Sequence, residues 1–116
     1  MTEKKKTGDK GEDTAVNYLF ANGYEVLQRN YRYRRGEIDI IAQKENILTF
    51  IEVKSRKNIL YGYPETFVSE SQEEWICLAA ENYIENNNWQ GNIRFDIIAI
   101  VWDTEEPSLD HFEDAF

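Results

Sequence analysis

The stretch GEIDIIAQKENILTFIEVK, residues 36–54, decides how this chain folds. Glu37 to Gln43 alternates, Ile47 to Lys54 alternates again, and only Lys44, Glu45 and Asn46 lie between them. Two such runs joined so closely read as a β-hairpin. With the turn centred between Glu45 and Asn46, Asp39 falls opposite Glu52 and Glu37 falls opposite Lys54, flanked by Ile41 and Phe50. Side chains directly across an antiparallel pair sit about 4.5–5.5 Å apart at Cβ. The register therefore gathers two carboxylates and a lysine on one face, and a slip of one residue would scatter them.

Facing carboxylates repel, so something must offset the charge. A divalent cation, Mg²⁺ or Mn²⁺, is the simplest candidate, because Mg²⁺ takes one or two carboxylates and keeps several waters. Asp39 and Glu52 would be its ligands, with the backbone carbonyl of Val53 as a third. Lys54 would hold an attacking water or stabilise charge on a phosphate. These are the parts that metal-assisted phosphodiester hydrolysis needs. The competing reading is a solvated sheet face carrying Glu–Lys cross-strand pairs, since a Glu-x-Lys triplet is common by chance.

Before the hairpin, Asp9 to Asn22 reads as a helix, with Asp9 as N-cap, Glu12 three residues on, an Ala15, Val16, Leu19 stripe, and Gly23 as the stop. Lys4, Lys5 and Lys6 read as a mobile basic tip. Glu12 shares the stripe and is either the capping partner of Asp9 or an extra acid aimed at the sheet. A short strand around Glu25–Leu27 leads into Arg29, Arg32, Arg34 and Arg35, set around Tyr31 and Tyr33. That is an exposed basic segment or a phosphate-binding strip whose aromatics can stack on bases.

After the hairpin, Tyr61 to Pro64 reads as a loop. Ser69 to Asn86 reads as a second helix, with Ser69 and Gln72 at capping-box spacing and Ile76, Ala79, Ala80, Tyr83 and Ile84 as its buried face. Phe95 to Trp102 suits a strand buried on both faces, and the tail after Pro107 offers an edge element. Arg94 and Asp96 read as an ion pair at a sheet edge. His111 has no partner at metal spacing and takes a structural or solvent role. Trp75, Trp89 and Trp102 read as packing residues or surface anchors. The order α-β-β-β-α-β makes an α/β or α+β sandwich.

The 116 residues fit one domain, 1–116. The net charge of −9 argues against nucleic acid at first sight. Its distribution is uneven: residues 1–57 hold 12 of the 13 Lys and Arg, whereas residues 58–116 hold 13 of the 22 Asp and Glu. One usable basic face is left in an otherwise acidic molecule. A lone cysteine, Cys77, makes no internal disulfide, and no apolar run reaches membrane-spanning length. A cytoplasmic protein without a membrane partner is the expectation.

The combined pattern resembles the YraN-like family of uncharacterised bacterial proteins over essentially the whole chain. The carriers are Gly8-x-x-Gly11-Glu12, Gly23-Tyr24, Arg29-Asn30-Tyr31-Arg32, Arg35-Gly36-Glu37-Ile38-Asp39, Phe50-Ile51-Glu52-Val53-Lys54-Ser55-Arg56, Ala79-Ala80 and Arg94-Phe95-Asp96. That family is similar in turn to archaeal Holliday-junction resolvases and to the restriction-endonuclease-like PD-(D/E)xK fold. The resemblance implies a three-layer α/β sandwich with a central mixed sheet flanked by helices. It implies metal binding by Asp39 and Glu52, catalysis assisted by Lys54, and a site role for Glu12. It also implies an endonuclease-like homodimer acting on branched or otherwise structured DNA, with Arg56 joining the arginine strip. The alternative is a non-catalytic nucleic-acid or protein-binding module on the same fold. One departure stands out: relatives often carry a lysine where this chain has Gln72, and the neighbours Glu70, Glu73 and Glu74 would repel phosphate.

Overall fold

In a computed structural model the chain runs α1 (Glu3–Ala21), β1 (Glu25–Tyr33), β2 (Gly36–Lys44), β3 (Ile47–Arg56), α2 (Glu70–Asn86), β4 (Asn92–Val101) and β5 (Ser108–Phe112). The structure describes residues 3–57, 68–102 and 106–116, with side chains from Lys10 onward. The Tyr61–Pro64 loop lies outside the described residues. The five strands form one mixed sheet in the order β1-β2-β3-β4-β5. Only β3 and β4 are parallel, and α2 lies between them in the chain.

The hairpin register is the expected one. Glu45 and Asn46 sit at φ 52° and 63°, the left-handed pair that a two-residue hairpin turn requires. Pairing then runs from Lys44↔Ile47 to Ile40↔Ile51 and stops there. Neither the expected Asp39–Glu52 pair nor the Glu37–Lys54 pair is therefore formed as a ladder pair, and Glu37 bonds instead to Arg32 of β1 at 3.2 Å. Ile38 joins the apolar cluster on one face of the sheet, whereas Ile40, only two residues on, joins the cluster on the other. Regular alternation would put both on one face, so β2 breaks its pleat at Asp39.

The two clusters give each face its helix. On one face Ile76, Ala79, Ala80 and Tyr83 of α2 pack on Ile38, Ile41, Leu48, Phe50 and Ile97. On the other, Ala15 and Leu19 of α1 pack on Ile40, Ala42, Ile51, Ile98 and Ile100. The α2 stripe is the one its 3.6-residue spacing predicts. Each of these large aliphatic side chains contributes roughly 1.5–3 kcal/mol on burial. A Cβ built on Gly11 would lie 2.9 Å from Ser55 Oγ, so this glycine lets α1 lie close against β3.

Three local expectations are corrected. The first helix begins at Glu3, so Asp9 lies within it rather than capping it, and Lys4 to Lys6 belong to it rather than to a loose tip. The strand expected at Glu25–Leu27 continues to Tyr33 and takes in Arg29 and Arg32. Its partner β2 supplies the hydrogen bonds, Tyr31 and Tyr33 turn toward the α2 cluster, and an edge strand tolerates the outward arginines. The tail after Pro107 forms the expected edge element, β5, paired antiparallel with β4.

Candidate active site

Where β2 and β3 part, Asp39 replaces the missing ladder bond with its side chain. The Val53 N–H donates to Asp39 Oδ2 at 2.7 Å. A strand residue carries its N–H and C=O on one edge, so the Val53 carbonyl faces the same gap. Glu52 is buried on the α2 side of β3, and its Oε1 accepts no hydrogen bond. Burial pushes the Asp39 carboxyl up to about 6 against the pull of the Val53 N–H, with Glu12 and Glu37 adding to the rise. Burial pushes Glu52 up to about 8, reinforced by Asp39. Lys54 opposes the rise at both. The two acids thus compete for charge in a poorly solvated space.

Glu12 reaches the same field from α1. Its Oε1 is buried without a hydrogen bond, and it lies 3.5 Å from Arg29 Nε as an ion pair. Burial raises its carboxyl, which Arg29 partly counters. Since Asp9 is not a cap, the capping role for Glu12 falls away and its aim at the sheet remains.

The first turn of α2 closes the site from above. Ser69 Oγ accepts from Gln72 N at 3.2 Å, which is one half of the expected capping box. The Gln72 side chain does not return to Ser69. Its Nε2 donates to Glu52 Oε2 at 3.2 Å. Asp39, Glu52, Gln72, Trp75, Arg35 and Glu37 are among the residues lining a cleft of about 280 Å³. Trp75 is thereby moved from the packing residues to the site. Its helical position three beyond Gln72 puts both on one face, a signal that becomes readable once α2 is known to cover β3.

The arginine strip divides. Arg29 is held by Asp13 at 2.8 Å and by Glu12, and Arg32 by Glu37. Both arginines are exposed, and their ion pairs are made to carboxylates of the same chain at the surface. Arg34 and Arg35 form the exposed β1–β2 turn, with Arg34 at φ 56° and Arg35 placed 5.6 Å from the Trp75 ring centre. Arg56 ends β3 and is exposed, its carbonyl accepting from Trp102 N at 2.9 Å.

A second polar cluster lies elsewhere. Asp96 is fully buried and accepts from Arg94 Nε and Nη2, both at 2.8 Å. His111 Nε2 is 2.7 Å from Asp96 Oδ2, its Nδ1 is 2.9 Å from Tyr18 OH, and Arg94 Nη2 donates to Tyr24 OH at 2.8 Å. Burial pushes Asp96 up, but the bonds from His111, Arg94 and the Asp114 N–H outweigh it and leave the carboxyl below its ordinary value. The expected Arg94–Asp96 pair is present, though buried and joined to α1 and β5. His111 takes the structural role.

A Mg²⁺ or Mn²⁺ ion suits the donors at the first cluster. Glu52 Oε1 is an unpartnered buried oxygen, Asp39 has a second oxygen, and the Val53 carbonyl faces the gap. Among the described residues no three His, Cys, Asp or Glu side chains stand close enough to hold a metal between them. The donor set is two carboxylates and a carbonyl, which fits a cation that keeps its waters better than one that demands a full protein cage.

The comparisons agree on one lineage. The family described as "Uncharacterised protein family UPF0102" matches residues 11–100. A UPF0102 protein of Flavobacterium psychrophilum is 43% identical over 116 residues, covering 100% of this chain and 98% of the relative. One from Clostridioides difficile is 45% identical over 117 residues and covers 100% of both. One from Chloroherpeton thalassium is 45% identical over 118 residues, with 94% and 92% covered.

Proposed function

Because the chain belongs to the UPF0102 family, whose name assigns no chemistry, we propose its function from the site: a Mg²⁺- or Mn²⁺-dependent nuclease-like protein that hydrolyses phosphodiester bonds in structured DNA. The observation that carries this reading is the Asp39–Glu52 pair. A buried Glu52 and a half-buried Asp39, both with raised pKa values, one oxygen unpartnered and a lysine beside them, form an arrangement whose ionised state costs stability unless a cation is bound. The mixed sheet with a helix on each face accords with the resemblance to the restriction-endonuclease-like fold.

In this reading Asp39, Glu52 and the Val53 carbonyl hold the ion. When bound, the ion supplies Lewis-acid polarisation of the phosphate and a lowered pKa for its water. Lys54 places a positive charge beside the phosphate that accepts the attack. Glu12 orients the water from the α1 side, and Gln72 fixes the rotamer of Glu52. Arg34, Arg35 and Arg56 supply exposed charge for the DNA backbone. No helix among the described residues is long and apolar enough to cross a membrane. A cytoplasmic setting and a homodimer belong to the same proposal.

A binding module is the second reading, and the outer face of α2 favours it. Glu70, Glu73, Glu74 and Glu81 line a groove there, which suits a basic protein better than a phosphate backbone. Incubation with junction, flap and duplex DNA plus Mg²⁺ or Mn²⁺, beside Asp39→Ala, separates the two. Cleavage that disappears in the variant supports the nuclease. No cleavage, together with no salt-dependent binding to any substrate, overturns it.

A further inference from the structure

The cleft holds an aromatic ring that carboxylate chemistry does not require. Trp75 is half-buried on α2, and the Arg35 guanidinium lies 5.6 Å from its ring centre. The pair is built into the fold. A Cβ on Gly36 would collide with the Trp75 carbonyl and lie 3.2 Å from Ala79 Cβ. Only glycine lets the β1–β2 turn press so closely on α2. The turn therefore holds Arg35 beside Trp75, at the mouth of the cleft that contains Asp39 and Glu52.

Resting on the nuclease reading above, we infer that Trp75 and Arg35 form a stacking subsite for one unpaired base, so that the substrate is DNA carrying an unpaired nucleotide next to the bond that is cut. The cleft of about 280 Å³ is on the scale of a single base rather than of stacked base pairs. A base inside a duplex has both faces covered by its neighbours, whereas an unpaired base has a free π-face for a tryptophan. An entering base takes the place of Arg35 on the ring, and the displaced guanidinium turns to the adjoining phosphate.

Electrostatics points the same way. Glu37, Asp39 and Glu52 line the cleft, and Arg29 and Arg32 are engaged by carboxylates. Phosphate contacts that usually dominate DNA affinity are scarce here. Stacking tolerates an acidic surrounding because it needs no charge on the protein. The other two tryptophans lie elsewhere. Trp102 has Lys10 over its ring and bonds Ser55 Oγ, and Trp89 bonds the Asn92 carbonyl.

The test uses the full chain with Ca²⁺ in place of Mg²⁺ to hold back cleavage. Trp89→Phe with Trp102→Phe leaves Trp75 as the sole tryptophan, whose emission is excited beyond tyrosine absorption. It is titrated with blunt duplex, with the same duplex carrying one bulged nucleotide, and with that bulge made abasic. The expected result is quenching by the bulged base alone, with affinity about tenfold above the blunt and abasic duplexes. Trp75→Leu, which keeps apolar bulk without a π-face, should erase that preference, and Trp75→Phe should keep most of it. Equal affinity for all three DNAs, or a preference that survives Trp75→Leu, overturns the subsite while leaving the nuclease reading standing. Absence of salt-dependent binding to every DNA overturns the nuclease reading and the subsite with it.

Discussion

Gln72 of α2 donates its side-chain N–H to Glu52 of β3 at 3.2 Å, so the helix that follows the hairpin sets the rotamer of its central carboxylate. The neutral amide satisfies one oxygen of Glu52 and leaves the other bare. It adds no positive charge, and burial, reinforced by Asp39, holds the carboxyl above its ordinary value.

Gln72→Lys should therefore lower the pKa of Glu52, because an opposite charge at that distance favours the ionised form. The same ammonium competes with a bound cation and should weaken Mg²⁺ binding by about tenfold, the usual scale for a residue behind a metal ligand. Carboxyl-carbon NMR of Glu52 across a pH series, beside calorimetric Mg²⁺ titration, reads both. An unchanged Glu52 titration would show that the two side chains do not meet in solution.

Glu52→Gln should stabilise the metal-free protein at alkaline pH. The folded-state pKa of Glu52 lies above its ordinary value, at about 8. Its contribution is therefore fully present below the ordinary carboxylate range and is lost as pH rises through about 8. The amide removes that loss, and the expected gain at pH 9 is about 1–3 kcal/mol, the scale of a buried unsatisfied polar group. Urea unfolding at pH 5 and pH 9 measures it. Added Mg²⁺ should stabilise the parent protein and not the variant.

Asp96→Asn should cost about 3 kcal/mol at neutral pH, the lower end for a broken buried ion pair because Arg94 keeps some solvent. Here the sign reverses. The Asp96 carboxyl is held below its ordinary value of 3.8. Its stabilisation is present above that value and is lost as pH falls through the lowered one. The gap between parent and variant, followed by urea unfolding, should be full at pH 7 and narrow under strongly acid conditions. A gap that widens with acid would contradict the assignment.

Gly36→Ala should destabilise the fold by about 1–3 kcal/mol, the typical cost of overpacking. The added methyl meets the Trp75 carbonyl, which cannot swing aside as a side-chain tip could. Thermal unfolding reads the cost. A shift in Trp75 fluorescence should accompany it, since the turn and α2 must separate. An unshifted melting temperature would mean that the contact is looser than its geometry.

Local pattern determined a large share of this protein. Residues 36–54 specified the hairpin and its register, because a period of two with a short polar turn admits few alternatives. Ile76, Ala79, Ala80 and Tyr83 declared the buried face of α2 in the same way. Tertiary structure decided the rest. The pleat breaks at Asp39, and a regular period of two carries no record of where the pairing stops. Gln72 leaves its own cap for Glu52, and Trp75 enters the cleft, because α2 crosses β3 there. His111 finds Tyr18 across 93 residues and Asp96 across 15. The spacing of side chains along a chain tells which face each occupies, and only the packing of one element on another tells which partners that face will meet.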